Sequence, residues 1–373
     1  MSAPRSPVAP ERTAGSAATS PSPPPRGVAP PALLVPIATV VLLASVVVAV
    51  TLGQAELTTR EVWTVVTDRL GLGVLQADAV GLQGQEVSAI RANLVWEMRL
   101  PRVLAAVLVG AGLAVVGAVM QTLTRNPMAD PYLLGISSGA SLGAVAVIVA
   151  GFGAGLVGVS SGAFAGALGA FVLVLALGQR AGRLTPTRMI LAGVAVGAFC
   201  AAATTFLIVW VADPQATQES QFWLAGSLAS ARLPGVRVMA AVLLVGSAVL
   251  IAASRPLNAF AFGEDAAASL GIEVERVRWT LLVICALVTG VLVAASGTIG
   301  FVGLLVPHGV RALVGPDHRR VLPLSALVGG TFLLWVDVVA RTAFAPRELP
   351  VGVMTAMLGV PAFLWILRRK VVR

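Results

Sequence analysis

The chain has 373 residues, of which 57% are apolar and only 12% charged, about half the charged share usual in a soluble globular domain. Its formal charge of +9 comes with few aromatics and no basic run interleaved with them, which excludes a nucleic-acid surface and leaves loop topology to explain the excess arginine. Lysine occurs once, and Lys370 is followed by Val371; a phosphate-binding G-x-x-x-x-G-K-[ST] loop is therefore excluded, and with it ATP hydrolysis by that route.

Residues 1–31 are rich in Pro, Ser and Ala and carry Arg5, Arg12 and Arg26. No apolar core with a small-residue cleavage site precedes residue 32, so the stretch reads as a disordered cytoplasmic tail and not as a secretory signal. Ten apolar segments follow, near 32–52, 103–123, 132–152, 154–178, 189–212, 234–253, 279–296, 299–314, 321–345 and 350–367. About 20 apolar residues cross the hydrocarbon core. The expected fold is all-α: a polytopic membrane protein of about ten transmembrane helices, forming one domain over 32–370. The eighth segment is short and holds Pro307-His308, so a broken or tilted helix is expected there.

An even number of spans leaves both termini on one side. With the amino terminus inside, 17 Lys/Arg fall on inner segments and nine on outer ones, five of these in the 53–102 connection. The positive-inside rule then places both termini in the cytoplasm. Residues 53–98 are too polar to span; with Trp63 and Trp96 they read as an interfacial helix on the outer surface. Glycines recur at helix-packing spacing in Gly135-x3-Gly139-x3-Gly143, Gly162-x3-Gly166 and Gly193-x3-Gly197, where close backbone approach within one subunit is the expectation.

Two polar stretches interrupt the pattern on the inner side. In Arg125-Asn126-Pro127-Met128-Ala129-Asp130-Pro131 the two prolines force a turn. The loop 254–278 reads as short helices: Gly263 starts one, Glu264 and Asp265 suit its amino-terminal dipole, and Gly271 stops it. In a chain without an ATPase of its own, such a loop is a candidate lever for a separate one. On the outer side Arg99, Arg102 and Arg341 lie where positive charge is disfavoured, which points to an acidic extracytoplasmic partner. Asp337, four residues before Arg341, reads as an i,i+4 partner that orients it, although any carboxylate in a membrane helix is a functional candidate. His308 and His318 lack carboxylate or cysteine clusters, and Cys200 and Cys285 read as small buried hydrophobes. No metal site, catalytic site or nucleophile–base pair is recognised.

Several runs together carry a resemblance. Arg99-Leu100-Pro101-Arg102, Gly117-Ala118-Val119-Met120-Gln121, Asn126-Pro127-Met128-Ala129-Asp130-Pro131 and Leu134-Gly135-Ile136-Ser137-Ser138-Gly139-Ala140 stand in the first half. Gly300-Phe301-Val302-Gly303-Leu304-Leu305-Val306-Pro307-His308, Gly315-Pro316-Asp317-His318-Arg319-Arg320 and Glu348-Leu349-Pro350-Val351-Gly352 follow in the second. In this order and spacing, over about 33–370, the chain resembles the FecCD family of ABC-importer permeases.

The resemblance implies a type II importer permease of the bacterial plasma membrane, paired with a second permease subunit, two ATP-binding subunits and an extracytoplasmic substrate-binding protein. It implies an iron-siderophore cargo, with cobalamin and haem as alternatives. ATP and Mg would reside on the partner ATPases, with no cofactor on this chain. It implies that the coupling helices include Leu257, Asn258, Gly263, Glu264, Asp265, Leu270 and Gly271, and that Arg99, Arg102 and Arg341 accept acidic residues of the binding protein. Asn126, Pro127, Asp130, Pro131, Gly135, Gly139, Pro307 and Asp337 are expected in structural or gating roles. The rival from another class is an ion-coupled secondary transporter, which needs midplane carboxylates or ion-binding carbonyls.

Overall fold

The computed structural model describes residues 31–53, 55, 57–71, 88–151, 156–180 and 183–371; the expected tail lies outside them, apart from Pro31. The helices are α1 (Pro31–Thr51), α2 (Thr59–Arg69), α3 (Ala89–Asn93), α4 (Leu100–Leu123), α5 (Ile136–Val149), α6 (Leu156–Gly178), α7 (Pro186–Phe206) and α8 (Pro214–Leu224). They continue as α9 (Leu233–Ala252), α10 (Ser254–Phe260), α11 (Glu264–Ser269), α12 (Val274–Ser296), α13 (Val302–Val314), α14 (His318–Thr342) and α15 (Val351–Val371). A two-stranded hairpin, Gln179–Arg180 with Arg183–Leu184, joins α6 to α7. Among the described residues seven helices are long and apolar enough to cross a membrane, and shorter apolar helices at α5, α13 and α15 match the remaining segments read from sequence. Apart from that short hairpin its regular structure is helical, and the protein is a multi-pass membrane protein.

The segment before α4 differs from expectation. A π-helical turn, Leu94–Arg99, joins α3 to α4 and makes one helical run from Ala89 to Leu123. Trp96 therefore belongs to the extended span. Among the described residues of this stretch, α2 is a separate amphipathic helix, capped by Thr58 and Glu61, with Val62, Val65 and Val66 buried. The Glu61 carboxyl is held below the usual range by the Thr58 backbone N–H, with the Arg91 guanidinium adding to it.

α4 is the axis of the bundle, buried almost throughout between Pro101 and Leu123. Its neighbours approach on glycines. A Cβ at Gly110 would overlap the backbone of Gly329 on α14, and one at Gly117 the backbone of Gly303 on α13. α5 and α6 interlock in the same way through Gly139 and Gly143 against Gly162 and Gly166, which places this small-residue seam inside the chain. Large apolar side chains instead face outward on α1 (Val40, Leu43), α7 (Leu191, Phe199), α9 (Leu244, Val245) and α15 (Met357, Leu364).

α13 is neither broken at Pro307 nor interrupted by it. A proline inside a helix leaves the carbonyl four residues back without its N–H. Here that carbonyl belongs to Gly303, and the Gln121 side chain of α4 supplies the missing donor at 3.3 Å, with Leu304 O at 3.2 Å. Arg311 in turn binds the Gln121 side-chain oxygen and, at 2.9 Å, the Ala118 carbonyl.

Candidate functional sites

One end of the bundle carries the three arginines, and all three are turned inward: Arg99, Arg102 and Arg341 are only 7%, 9% and 3% exposed. Arg102 Nε meets both oxygens of Asp337, and its Nη1 meets Glu348. Arg341 pairs with Asp337 at 3.4 Å and donates to the Ala49 carbonyl at 2.9 Å. Arg99 donates to the carbonyls of Thr51, at 3.1 Å, and Ala55. These side chains therefore tie α1, α4, α14 and the approach to α15 together and do not offer open forks to a partner. The reason is energetic: a guanidinium so little hydrated needs carboxylates and carbonyls close by. Sequence position placed the charges at this end, but tertiary contacts consume them. At the rim of the cluster Glu348 keeps a side-chain exposure of 35%, and the adjacent Arg347 is exposed.

At the opposite end α10 and α11 form a bent pair. Gly263 begins α11 at φ 111° and Gly271 ends it at φ 79°, conformations that L side chains rarely adopt. Leu257, Phe260 and Ala267 are buried and anchor the pair. Arg278, buried on α12, meets Glu264 at 2.6 Å and Glu275 at 3.1 Å and lies over the Phe260 ring at 5.9 Å. Arg125 reaches Glu264 at 3.9 Å.

Beside the exposed Asp265 and Ser269, this pair presents two large apolar side chains: Phe262 is 85% and Leu270 73% exposed. Of the seven residues expected to couple, Leu270 and Asp265 face outward, Gly263 and Gly271 shape the turn, and Glu264 is tied to Arg278. Leu257 is buried, and the half-buried Asn258 spends its side-chain amide on Asp317 and His318 within the chain. Phe262 was not singled out from sequence. Phe260 and Phe262 lie two residues apart, and nothing in the one-dimensional pattern says which of them the bundle covers.

The turn leading to α5 is built from local polar bonds. The Asn126 side chain accepts from Met128 N–H at 2.9 Å, and Asp130 caps the 3₁₀ turn Pro131–Leu134 by accepting from Tyr132 N–H at 2.9 Å. Burial pushes the Asp130 carboxyl up to about 6. Gly135 follows at φ 72° and starts α5. His318 is the first residue of α14 and only 2% exposed. Among the described residues no group of three His, Cys, Asp or Glu is placed to hold a metal ion.

Over residues 41–369 the sequence matches the FecCD transport family. It is 42% identical to a cobalamin import system permease protein of Halobacterium salinarum, over 75% of this chain and 74% of that one. It is 41% identical to a hemin transport system permease protein of Yersinia pestis, over 74% of this chain and 84% of that one. A solved structure described as an inward-facing conformation of a metal-chelate type ABC transporter superposes with a TM-score of 0.77 at 28% identity, covering 91% of this chain and 99% of that one.

Proposed function

We propose a cargo class and a set of partners for this chain, which belongs to the FecCD transport family and is an ABC-importer permease. The cargo is a bulky, preformed metal chelate. Relatives named for cobalamin and hemin support that class, and an iron-siderophore complex, the cargo first expected from sequence, falls within it. A bare ion would need clustered ligands along the path, whereas a chelate brings its own. The permease works with a second permease subunit, two ATPase subunits and an extracytoplasmic binding protein, with both its own termini in the cytoplasm.

The observation that carries the reading is the α10–α11 pair. Its inner face is anchored by Leu257, Phe260, Ala267 and Arg278, and its outward face presents Phe262 and Leu270. A short, rigidly seated element with an unpartnered aromatic is suited to enter a groove on an ATPase and be displaced by it. Asp337 gives the ion-coupled rival little support, because two arginines already neutralise it. At the other end, the binding protein docks on the rim formed by Arg347 and Glu348, which the buried arginine cluster holds through Arg102.

The test is reconstitution with the ATPase subunits and binding protein. ATP should drive uptake of one chelate among ferric siderophore, haem and cobalamin, with no ion gradient imposed. Phe262→Asp should lower co-purification of the ATPase by about tenfold or more, the loss typical of an interface anchor, while the permease stays folded. Uptake that needs an ion gradient and ignores ATP would defeat the reading.

A further inference from the structure

The half-buried Asn258 leads to a chain of bonds that no docking role explains. Its amide oxygen accepts the His318 backbone N–H at 2.9 Å and lies 2.7 Å from His318 Nδ1, while its Nδ2 donates to Asp317 at 2.7 Å. An amide oxygen only accepts, so the ring proton is assigned to Nδ1 and Nε2 is left as an acceptor. Thr122, in the last turn of α4, stands 2.7 Å from Nε2 and donates its hydroxyl there. The Ala118 carbonyl, the other acceptor within its reach at 3.0 Å, already receives Arg311. Asp317 also caps α14 by accepting from Arg319 N–H at 3.0 Å. Every donor in the series therefore meets an acceptor, and one arrangement of protons satisfies all of it.

Three elements meet at this point: α10, the first turn of α14 and the last turn of α4. The latter two run side by side, in glycine contact at Gly110 and Gly329, to the far end where Arg102 meets Asp337. We propose that the Asn258–His318–Thr122 chain is the joint that passes displacement of α10 to the α4–α14 pair, and through it to the arginine cluster at the opposite end. These are positioning residues. An apolar contact lets helices slide, whereas a bonded chain with a fixed tautomer holds one register and moves as a unit. The proposal rests on the reading of α10–α11 as the element an ATPase displaces.

The experiment uses the full transporter in proteoliposomes and compares Thr122→Val, which keeps the shape and removes the hydroxyl, with Thr122→Ser, which keeps the hydroxyl. The readout is the chelate taken up (ferric siderophore, haem or cobalamin, whichever the unmutated transporter carries) per ATP hydrolysed, alongside the thermal midpoint of the purified complex. Thr122→Val should lower that ratio about fivefold, the factor for one neutral hydrogen bond, and Thr122→Ser should return it to within about twofold of the parent. A Thr122→Val ratio equal to the parent's overturns the joint, as does a Thr122→Ser ratio as low as that of Thr122→Val. Should Thr122→Val fail to accumulate, Asn258→Ala breaks the chain from α10 without altering α4 and is read in the same way. Failure of the permease reading would look different, since the unmutated chain would then neither bind ATPase subunits nor transport with ATP.

Discussion

Arg102 on α4 and Asp337 on α14 are 235 positions apart in sequence, yet the guanidinium Nε lies 2.9 and 3.2 Å from the two carboxylate oxygens. Asp337 is fully buried, and it stands between two cations. Asp337→Ala would leave Arg102 and Arg341 with less compensation in a poorly hydrated site. Removing one partner of such a buried pair costs about 3–5 kcal/mol. The expected outcome is severe loss of folded protein by size-exclusion chromatography in detergent, with Asp337→Asn milder because the amide still accepts from Arg102.

The α11 turn should separate two neighbouring acids. Glu264→Lys sets an ammonium against the buried Arg278 and should lower the melting temperature of the permease and its uptake together. Asp265 is exposed, so Asp265→Lys should leave stability within about 0.5 kcal/mol and show its effect on ATPase binding alone. Gly271→Pro cannot take φ 79° and loses the bond from Gly271 N–H to Ala268. It should abolish coupling, whereas Gly271→Ala should cost about 1–2 kcal/mol and remain partly active. Thermal melts, ATPase pull-downs and ATP-driven uptake together check all four.

Asp130 gives a dependence on pH with a definite sign. Its carboxyl, pushed up to about 6 by burial, binds a proton in the folded chain that the unfolded chain releases nearer its ordinary value of 3.8. The folded state therefore loses stability as pH rises from that value through about 6. Asp130→Asn keeps an acceptor for Tyr132 N–H and removes the titration. The variant should melt above the parent at pH 7.5, with the difference closing toward pH 4.5. Parallel melting curves across this range would contradict the assignment.

Orientation can be read at Ser269, which is exposed at the end of α11. Cys200 and Cys285 are both buried, out of reach of an impermeant reagent, so the unsubstituted chain serves as the unlabelled control. A cysteine at Ser269 should react with an impermeant maleimide only in inside-out vesicles. Labelling from outside intact cells would invert every loop assignment.

The apolar segments were legible because a bilayer demands long apolar runs, and such runs survive in one dimension. The α11 boundaries were legible for a similar reason: Gly263 and Gly271 mark turns by their own chemistry. Which way a polar side chain turns was not. Arg99, Arg102 and Arg341 stand at the expected end of the bundle, but their partners Thr51, Ala55, Asp337, Glu348 and Ala49 come from separate stretches of chain. The intact helix at Pro307 depends in the same way on Gln121, nearly two hundred residues earlier. A signal for that repair exists in the sequence, since a lone amide near the end of an apolar run is costly unless it serves a carbonyl.

The covering of the helices is uneven: in its most apolar stretch the α3–α4 run is 83% buried within the chain, while α1 and α7 are 17% buried. Substitutions along α4 must be absorbed by several neighbouring helices at once, so its sequence has little room to drift. The faces of α7 and α9 answer only to lipid or to another subunit. A permease built this way can acquire new companions by rewriting its rim, while the axis that joins its two ends stays as it is.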